Sequence, residues 1–461
     1  MKKTKTRSVI VYFLVAGFFV GLGFFLFKLT VHAEDWAINP INGHLSGQEL
    51  AGAGKILDRN KKVLAQSSDG KRLYNENEAV RRAVLHTIGD GSINITTSIQ
   101  NQFSADLFGY NLITGLGAPK FLTMAKDIHL TLDSDLCRIA SEKLGSYKGA
   151  VCLYNYKTGE ILCMVSKPTY DPYQIPDFSD GTDEEYEGAY LNRVLSSSFT
   201  PGSVFKVVTS AAAIDYLPDL YEKEFYCPGN IEVGGETIIC MEHHGTIDFE
   251  DGMAKSCNIV FAELAMELGT ERMTMEAEKL GFNESFSIDG IPIQKSVYHA
   301  ENVTKADLGW SGIGQQNDLV NPAHLMKIMG AIANNGVPIE PYLISSMTSS
   351  FGIKSHVGQT KVGDQMMSAG TASQLREVMR YTTRSQYGDS MFPGLTVCSK
   401  TGTAEVGKGK KPHAWMTGFS TDEDCPLAFA IIVENSGYGY RQAGPIATAI
   451  MTAAAESIRG R

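Results

Sequence analysis

Thr200-Pro201-Gly202-Ser203-Val204-Phe205-Lys206 places a hydroxyl and an amine three residues apart. They open an apolar series, Val204, Phe205, Val207, Val208, Ala211, Ala212, Ile214 and Leu217, that has the spacing of a buried helix. Pro201-Gly202 supplies the turn before it. Ser203 and Lys206 should then share a face of the first helical turn, in the positive field of unpaired backbone N–H groups. The chemistry is that of a nucleophile beside its base. A lysine takes a seryl proton only when neutral, and an ordinary lysine, with a pKa of about 10.4, is almost wholly charged at pH 7. Burial and a second nearby cation are needed to push that value down.

Ser-x-x-Lys is a weak signal by itself, and this chain holds a second copy, Ser68-Asp69-Gly70-Lys71. The same chemistry also uses a Ser-x-Asn and a Lys-Thr-Gly, and each occurs twice in order. One set is Ser203/Lys206, Ser256-Cys257-Asn258 and Lys400-Thr401-Gly402-Thr403. The other is Ser68/Lys71, Ser92-Ile93-Asn94 and Lys157-Thr158-Gly159. Ser68 lies in a polar loop with no buried helix behind it, so nothing there would lower the lysine's pKa. Lys157-Thr158-Gly159 joins two apolar runs and reads as a hairpin turn. Lys400 instead follows Leu395-Thr396-Val397-Cys398-Ser399, a strand that would carry its amine into a cleft, and Gly402 would let a substrate backbone approach.

With these motifs the chain resembles the class B penicillin-binding proteins, membrane-anchored D,D-transpeptidases of peptidoglycan synthesis. The likeness extends to Lys55-Ile-Leu-Asp-Arg-Asn-Lys-Lys-Val-Leu-Ala65, Leu130-Thr-Leu-Asp133, Thr158 to Ser166, Gly314-Gln315-Gln316 and Pro412-His413-Ala414-Trp415. One departure is Gln316, where the family pattern has glycine. The resemblance implies a serine β-lactamase/penicillin-binding transpeptidase fold and acyl transfer through Ser203 with Lys206 as base. It implies proton relay by Ser256, orientation by Asn258 and a positive field from Lys400. Thr401, Gly402 and Thr403 would hold the substrate carboxylate and backbone. Stem peptides ending in D-Ala-D-Ala and β-lactams are the implied ligands, with no metal or organic cofactor. A polytopic glycan polymerase is the implied membrane partner. A carboxypeptidase or β-lactamase, a β-lactam sensor and a non-enzymatic scaffold are the competing readings.

The elements that must position these residues are legible in outline. Lys2, Lys3, Lys5 and Arg7 precede an apolar run from Val9 to Phe27, long enough to cross a bilayer. The basic flank should stay cytoplasmic, leaving the rest outside the cell membrane. A cleaved signal ending near Val31-His32-Ala33 is the alternative. Gly17 and Gly21 form a small-residue face that can pack on another helix. The expected organisation is a cytoplasmic tail 1–8, a membrane anchor 9–28, a small β-rich pedestal 35–128 and a catalytic domain 129–461. In the pedestal, Lys55 to Asp58, Ala83 to His86 and Ser92 to Thr97 are expected strands. In the catalytic domain, Asp133 or Ser134 caps a helix, Ala150 to Val165 forms a hairpin, and Pro322 to Asn334 is a buried helix. Leu395 to Lys400, Trp415 to Phe419 and Leu427 to Glu434 are strands of one antiparallel sheet, and Pro445 begins a closing helix. The class is α+β, with helices packed on a mainly antiparallel sheet.

The net charge of −10, from 41 basic and 51 acidic residues, argues against a nucleic-acid-binding surface. No His-Glu-x-x-His and no phosphate-binding P-loop occur. The eight cysteines form no compact disulfide framework. Cys227 with Cys240, and Cys152 with Cys163, are the two candidate bridges, against eight reduced and mostly buried thiols. His243-His244, beside Gly245, reads as a loop position rather than a metal site.

Overall fold

The computed structural model describes residues 2–37, 52–109, 125–177, 184–300, 303–349, 351–407 and 409–460. The expected pedestal therefore includes two stretches, 38–51 and 110–124, that lie outside the described residues. A helix Lys2–Ala37 opens the chain, and its stretch Val11–Lys28 is long and apolar enough to cross a membrane, with none of it buried.

A five-stranded antiparallel sheet forms the centre. Its order is Val397–Ala404, His413–Ser420, Leu427–Val433, Gly149–Asn155 and Ile161–Lys167. Leu427–Val433 is an unbroken apolar run and is buried at every position, as is His413–Ser420, so both faces of the sheet are covered. The helices Ser134–Leu144, Pro322–Ala333 and Gly439–Arg459 pack against it. Asp133 caps the first of these, accepting from the backbone N–H groups of Asp135 and Leu136, and Asn321 caps the second. These elements match the expected α+β class.

A second sheet mixes the two halves of the chain. Its order is Lys354–Val357, Ile344–Ser349, Lys126–Leu130, Ile56–Leu57, Val63–Ser68 and Lys71–Tyr74. Ile56–Leu57 runs parallel to Lys126–Leu130, and two strands arrive from beyond residue 340. The N-terminal region is thus joined to the C-terminal part by backbone hydrogen bonding.

Four expectations are corrected. Ala83 to His86 is not a strand but part of the helix Glu78–Ile88, capped by the Asn77 side chain. Its buried positions Val80, Ala83, Val84 and Ile88 have helical spacing that the short apolar run disguises. Ser92 to Thr97 forms turns and bends. The closing helix begins at Gly439, and Pro445 lies inside it. Finally, Cys152 and Cys163 do not face each other. The turn pairing is as expected, but a bulge between Leu153 and Tyr154 shifts the register, so Cys152 opposes Met164 and Cys163 opposes Leu153. All eight cysteines are buried and free of disulfides.

Candidate active site

Ser203 is the middle residue of a 3-10 turn, Gly202–Val204, that runs into the helix Lys206–Tyr216. It is half-buried, while Gly202, Val204 and Phe205 around it are buried. The turn is clamped on two sides. Gly202 has a φ of 55°, and a Cβ there would come within 2.8 Å of the Thr403 carbonyl oxygen. Gly202 N–H donates to the Gly314 carbonyl at 2.8 Å, and a Cβ on Gly314 would lie 2.2 Å from the Gly202 oxygen. Only glycine fits at either position. Val204 also packs on this strand, 3.1 Å from where a Gly402 Cβ would stand. At Gly402 the close approach is therefore made by the chain's own Pro201-Gly202-Ser203-Val204 segment.

Lys206 opens the helix one turn after Ser203 and is fully buried. Its Nζ donates to the Ser256 carbonyl at 2.6 Å and to Asn258 Oδ1 at 2.8 Å, and lies 3.2 Å from Ser256 Oγ. Ser256 reaches this position with a φ of 55°, just before the helix Asn258–Lys279. Such a backbone is uncommon for a residue with a side chain. Asn258 is fixed in turn, its Nδ2 donating to the Ile239 carbonyl at 2.9 Å. From the central sheet, the fully buried Lys400 brings its Nζ to 2.9 Å from the same Ser256 Oγ.

No carboxylate is among these partners of either lysine. Burial therefore acts on both amines without a carboxylate in contact to offset it. It pushes Lys206 down to about 8, against a smaller upward pull from Cys257 and Cys240. Lys400 is held well below the ordinary lysine range, first by burial and then by the charge of Lys206. A neutral amine keeps two N–H groups and a lone pair. The two carbonyl-type acceptors of Lys206 can use the former, which leaves the lone pair for a hydroxyl.

Thr401 and Thr403 share one half-buried face of the strand Val397–Ala404, as the alternation of a strand requires. Tyr387 sets the first of them. Its hydroxyl lies 2.8 Å from Thr401 Oγ1 and accepts from Thr401 N–H at 3.1 Å, while its ring stacks on Tyr440. Thr403 Oγ1 accepts from Gly439 N–H at 3.3 Å. Trp415, on the neighbouring strand, donates its indole N–H to the Thr200 carbonyl at 3.0 Å, tying the sheet to the segment before Ser203. Sequence reasoning missed Tyr387 and Tyr440, and no local signal marks either.

The structure thus brings Lys206 and Lys400 to the Ser256 hydroxyl, with Asn258 bound to Lys206, and seats the Ser203 turn on the Lys400 strand. The other motif set does not assemble. Ser68 and Lys71 are exposed across a tight turn between two strands, and Lys157-Thr158-Gly159 is the turn of the hairpin from Gly149 to Lys167. Gln316 adopts a φ of 64°, the conformation a glycine would take without strain, and its Nε2 donates to Asp307 Oδ1 at 2.6 Å. The departure from the family pattern therefore leaves the turn in a left-handed conformation.

Comparison with known proteins adds to this geometry. The profile of the penicillin binding protein transpeptidase domain matches residues 149–452. The chain is 29% identical over 339 residues to the peptidoglycan D,D-transpeptidase PbpA of Mycolicibacterium smegmatis, covering 67% of each protein. It is 25% identical over 466 residues to the stage V sporulation protein D of Bacillus subtilis, covering 91% of this chain and 70% of that one. In fold it is similar to penicillin-binding protein A from M. tuberculosis, solved as a ceftriaxone acyl-enzyme complex. That likeness has a TM-score of 0.76 at 24% identity, over 87% of this chain and 98% of the other. Because the matched span takes in every strand of the central sheet and most of the chain, the chain belongs to the penicillin-binding protein transpeptidase family.

Proposed function

We propose that this protein is a peptidoglycan D,D-transpeptidase that works through a seryl acyl-enzyme and is acylated by β-lactams. The observation that carries the reading is the pair of buried amines, Lys206 and Lys400, meeting at Ser256 Oγ with no carboxylate among their partners in the described residues. Its own burial gives Lys206 a depressed pKa, which a base for a serine hydroxyl requires. Family membership and the name of the mycobacterial relative support the same reaction.

In the first step Ser203 Oγ attacks the carbonyl carbon between the two terminal D-alanines, and neutral Lys206 accepts the hydroxyl proton. The C–N bond breaks, Ser256 passes a proton to the departing amine, and D-alanine leaves. In the second step an amine of a neighbouring stem attacks the ester, forming the cross-link and returning the proton to Ser203. Asn258 orients Lys206 and the substrate amide. Once Lys206 is neutral and no longer opposes its charge, Lys400 supplies the positive charge, and Thr401 and Thr403 hold the terminal carboxylate beside Gly402. The backbone N–H groups of Ser203 and Thr403 receive the oxyanion, each contributing roughly 3 kcal/mol to the barrier reduction.

The apolar helix fits a membrane anchor at 9–28, with tail 1–8 in the cytoplasm and the remainder outside. Residues 35–128 act as the pedestal and 129–461 as the transpeptidase domain. Gly17 and Gly21 meet no neighbour among the described residues and offer their face to a polytopic glycan polymerase. The test is release of D-alanine from a stem pentapeptide, with and without an added acceptor amine. Cross-linked product that rises with acceptor supports the transferase. Hydrolysed product alone, at every acceptor concentration, identifies a carboxypeptidase instead.

A further inference from the structure

Four side chains from separate segments meet beside the Ser256 turn. Cys227 ends the strand Phe225–Cys227, and Cys240 follows the strand Glu236–Ile239. His244 precedes the strand Gly245–Ile247, and Cys257 is the residue before the helix Asn258–Lys279. Their three sulfurs and one imidazole nitrogen all lie within 4.8 Å of one another. Cys240 Sγ is 3.9 Å from Cys257 Sγ and 3.6 Å from His244 Nδ1. The cysteines are buried and the histidine half-buried.

These spacings have a geometric meaning. A tetrahedral Zn²⁺ with bonds of about 2.3 Å to sulfur and about 2.0 Å to nitrogen has edges of about 3.8 Å between sulfurs and about 3.5 Å from sulfur to nitrogen. The two observed edges agree. A disulfide would bring two sulfurs to about 2.0 Å and leave the third thiol and the imidazole unused. The Cys227–Cys240 bridge does not form, and His244, which lies in a loop as expected, stands among three free thiols. Its partners are scattered at positions 227, 240 and 257, and only folding brings them together.

We propose that Cys227, Cys240, His244 and Cys257 bind one Zn²⁺ as a structural site. Three thiolates and an imidazole are the donor set of closed tetrahedral zinc sites, and four protein ligands leave no open position for water. The thiol protons are released as the metal binds. Its place in the chain gives it a role. Cys257 stands between Ser256 and Asn258, and Asn258 N–H donates to Cys240 Sγ at 3.3 Å. Asn258 Nδ2 is held by Ile239, the residue before Cys240. The metal therefore fastens the hairpin segment to the turn in which Ser256 is held at positive φ. Cys227, Cys240, His244 and Cys257 are positioning residues for the two side chains that contact Lys206.

The metal content of full-length protein, purified in detergent without chelator, tests the site. About one zinc per chain is expected by mass spectrometry of the metals. Cobalt substitution should give tetrahedral d–d bands and a thiolate-to-cobalt charge-transfer band. Cys240→Ser and His244→Ala should each reduce zinc to below about a tenth of an equivalent, whereas Cys425→Ser, buried elsewhere, should retain it. Stripping the wild-type protein should slow acylation by a fluorescent penicillin at least about tenfold, with recovery on adding zinc. Wild-type protein that takes up neither zinc nor cobalt, or a Cys240–Cys257 disulfide in non-reducing peptide maps, overturns the site. Unchanged acylation after stripping overturns the positioning role. Because metal content is measured without substrate, failure of the transpeptidase reading would leave this result standing.

Discussion

Lys206 and Lys400 belong to a helix and a strand nearly two hundred residues apart, yet both amines stop at one oxygen, Ser256 Oγ, at 3.2 and 2.9 Å. Two charged amines at that separation repel each other in a site that offers little solvent. The arrangement is stable when at least one of them is neutral, which is the state a general base needs.

The first consequence is a pH profile. Only neutral Lys206 can accept the Ser203 proton, and burial places its pKa near 8. The second-order rate of β-lactam acylation should therefore rise about tenfold per pH unit below about 8 and level off above it. Stopped-flow acylation between pH 6 and 9.5 measures this. A rate that falls with rising pH over that range would contradict Lys206 as base.

Ser256→Ala removes the hydroxyl that both amines share. Acylation should slow by about 10² to 10⁴, the usual worth of a proton-transfer group, while the circular dichroism stays that of the wild type. An acylation rate within about twofold of wild type would take Ser256 out of the proton path.

Gly314→Ala would place a Cβ 2.2 Å from the Gly202 carbonyl and at a φ of 76°. The Ser203 turn must then shift on the Lys400 strand, and a displacement near 1 Å is worth about 10² in rate. Acylation kinetics on the folded variant check this. Gln316→Gly is the contrasting case. It relieves backbone strain of about 1 kcal/mol and loses the hydrogen bond to Asp307, worth about as much. Its Tm should change by no more than about 4 °C, whereas Gln316→Val should lower it further.

Tyr387→Phe keeps the ring stacked on Tyr440 but removes the hydroxyl that holds Thr401 at both its side chain and its backbone N–H. If Thr401 binds the substrate carboxylate, KM for the stem peptide should rise about five- to tenfold with kcat little changed, from the loss of about 1 kcal/mol. Steady-state kinetics separate the two parameters.

What could be read from the sequence follows the range of each signal. The Ser203 turn and the strand that carries Lys400 announce themselves locally, through Pro201-Gly202 and through a run of strand formers; the turn stands where expected, and the strand begins at Val397 and runs on past Lys400 to Ala404. Leu427–Val433 is apolar at every residue and so could only be interior. Other features depend on contacts across the chain. The Glu78–Ile88 helix is amphipathic, and only four of its residues look strand-like in isolation. The strands Ile344–Ser349 and Lys354–Val357 join the N-terminal sheet by pairing with Lys126–Leu130, which no local pattern foretells. Tyr387 and the cysteine–histidine cluster become visible only when distant segments are folded together.

The most direct measurement is the site of covalent attachment of a β-lactam, found by intact mass and peptide mapping of the labelled protein. A single adduct on Ser203, absent from Ser203→Ala and from Lys206→Ala, is the predicted result. An adduct on another residue, or equal labelling of Ser203→Ala, would contradict the account.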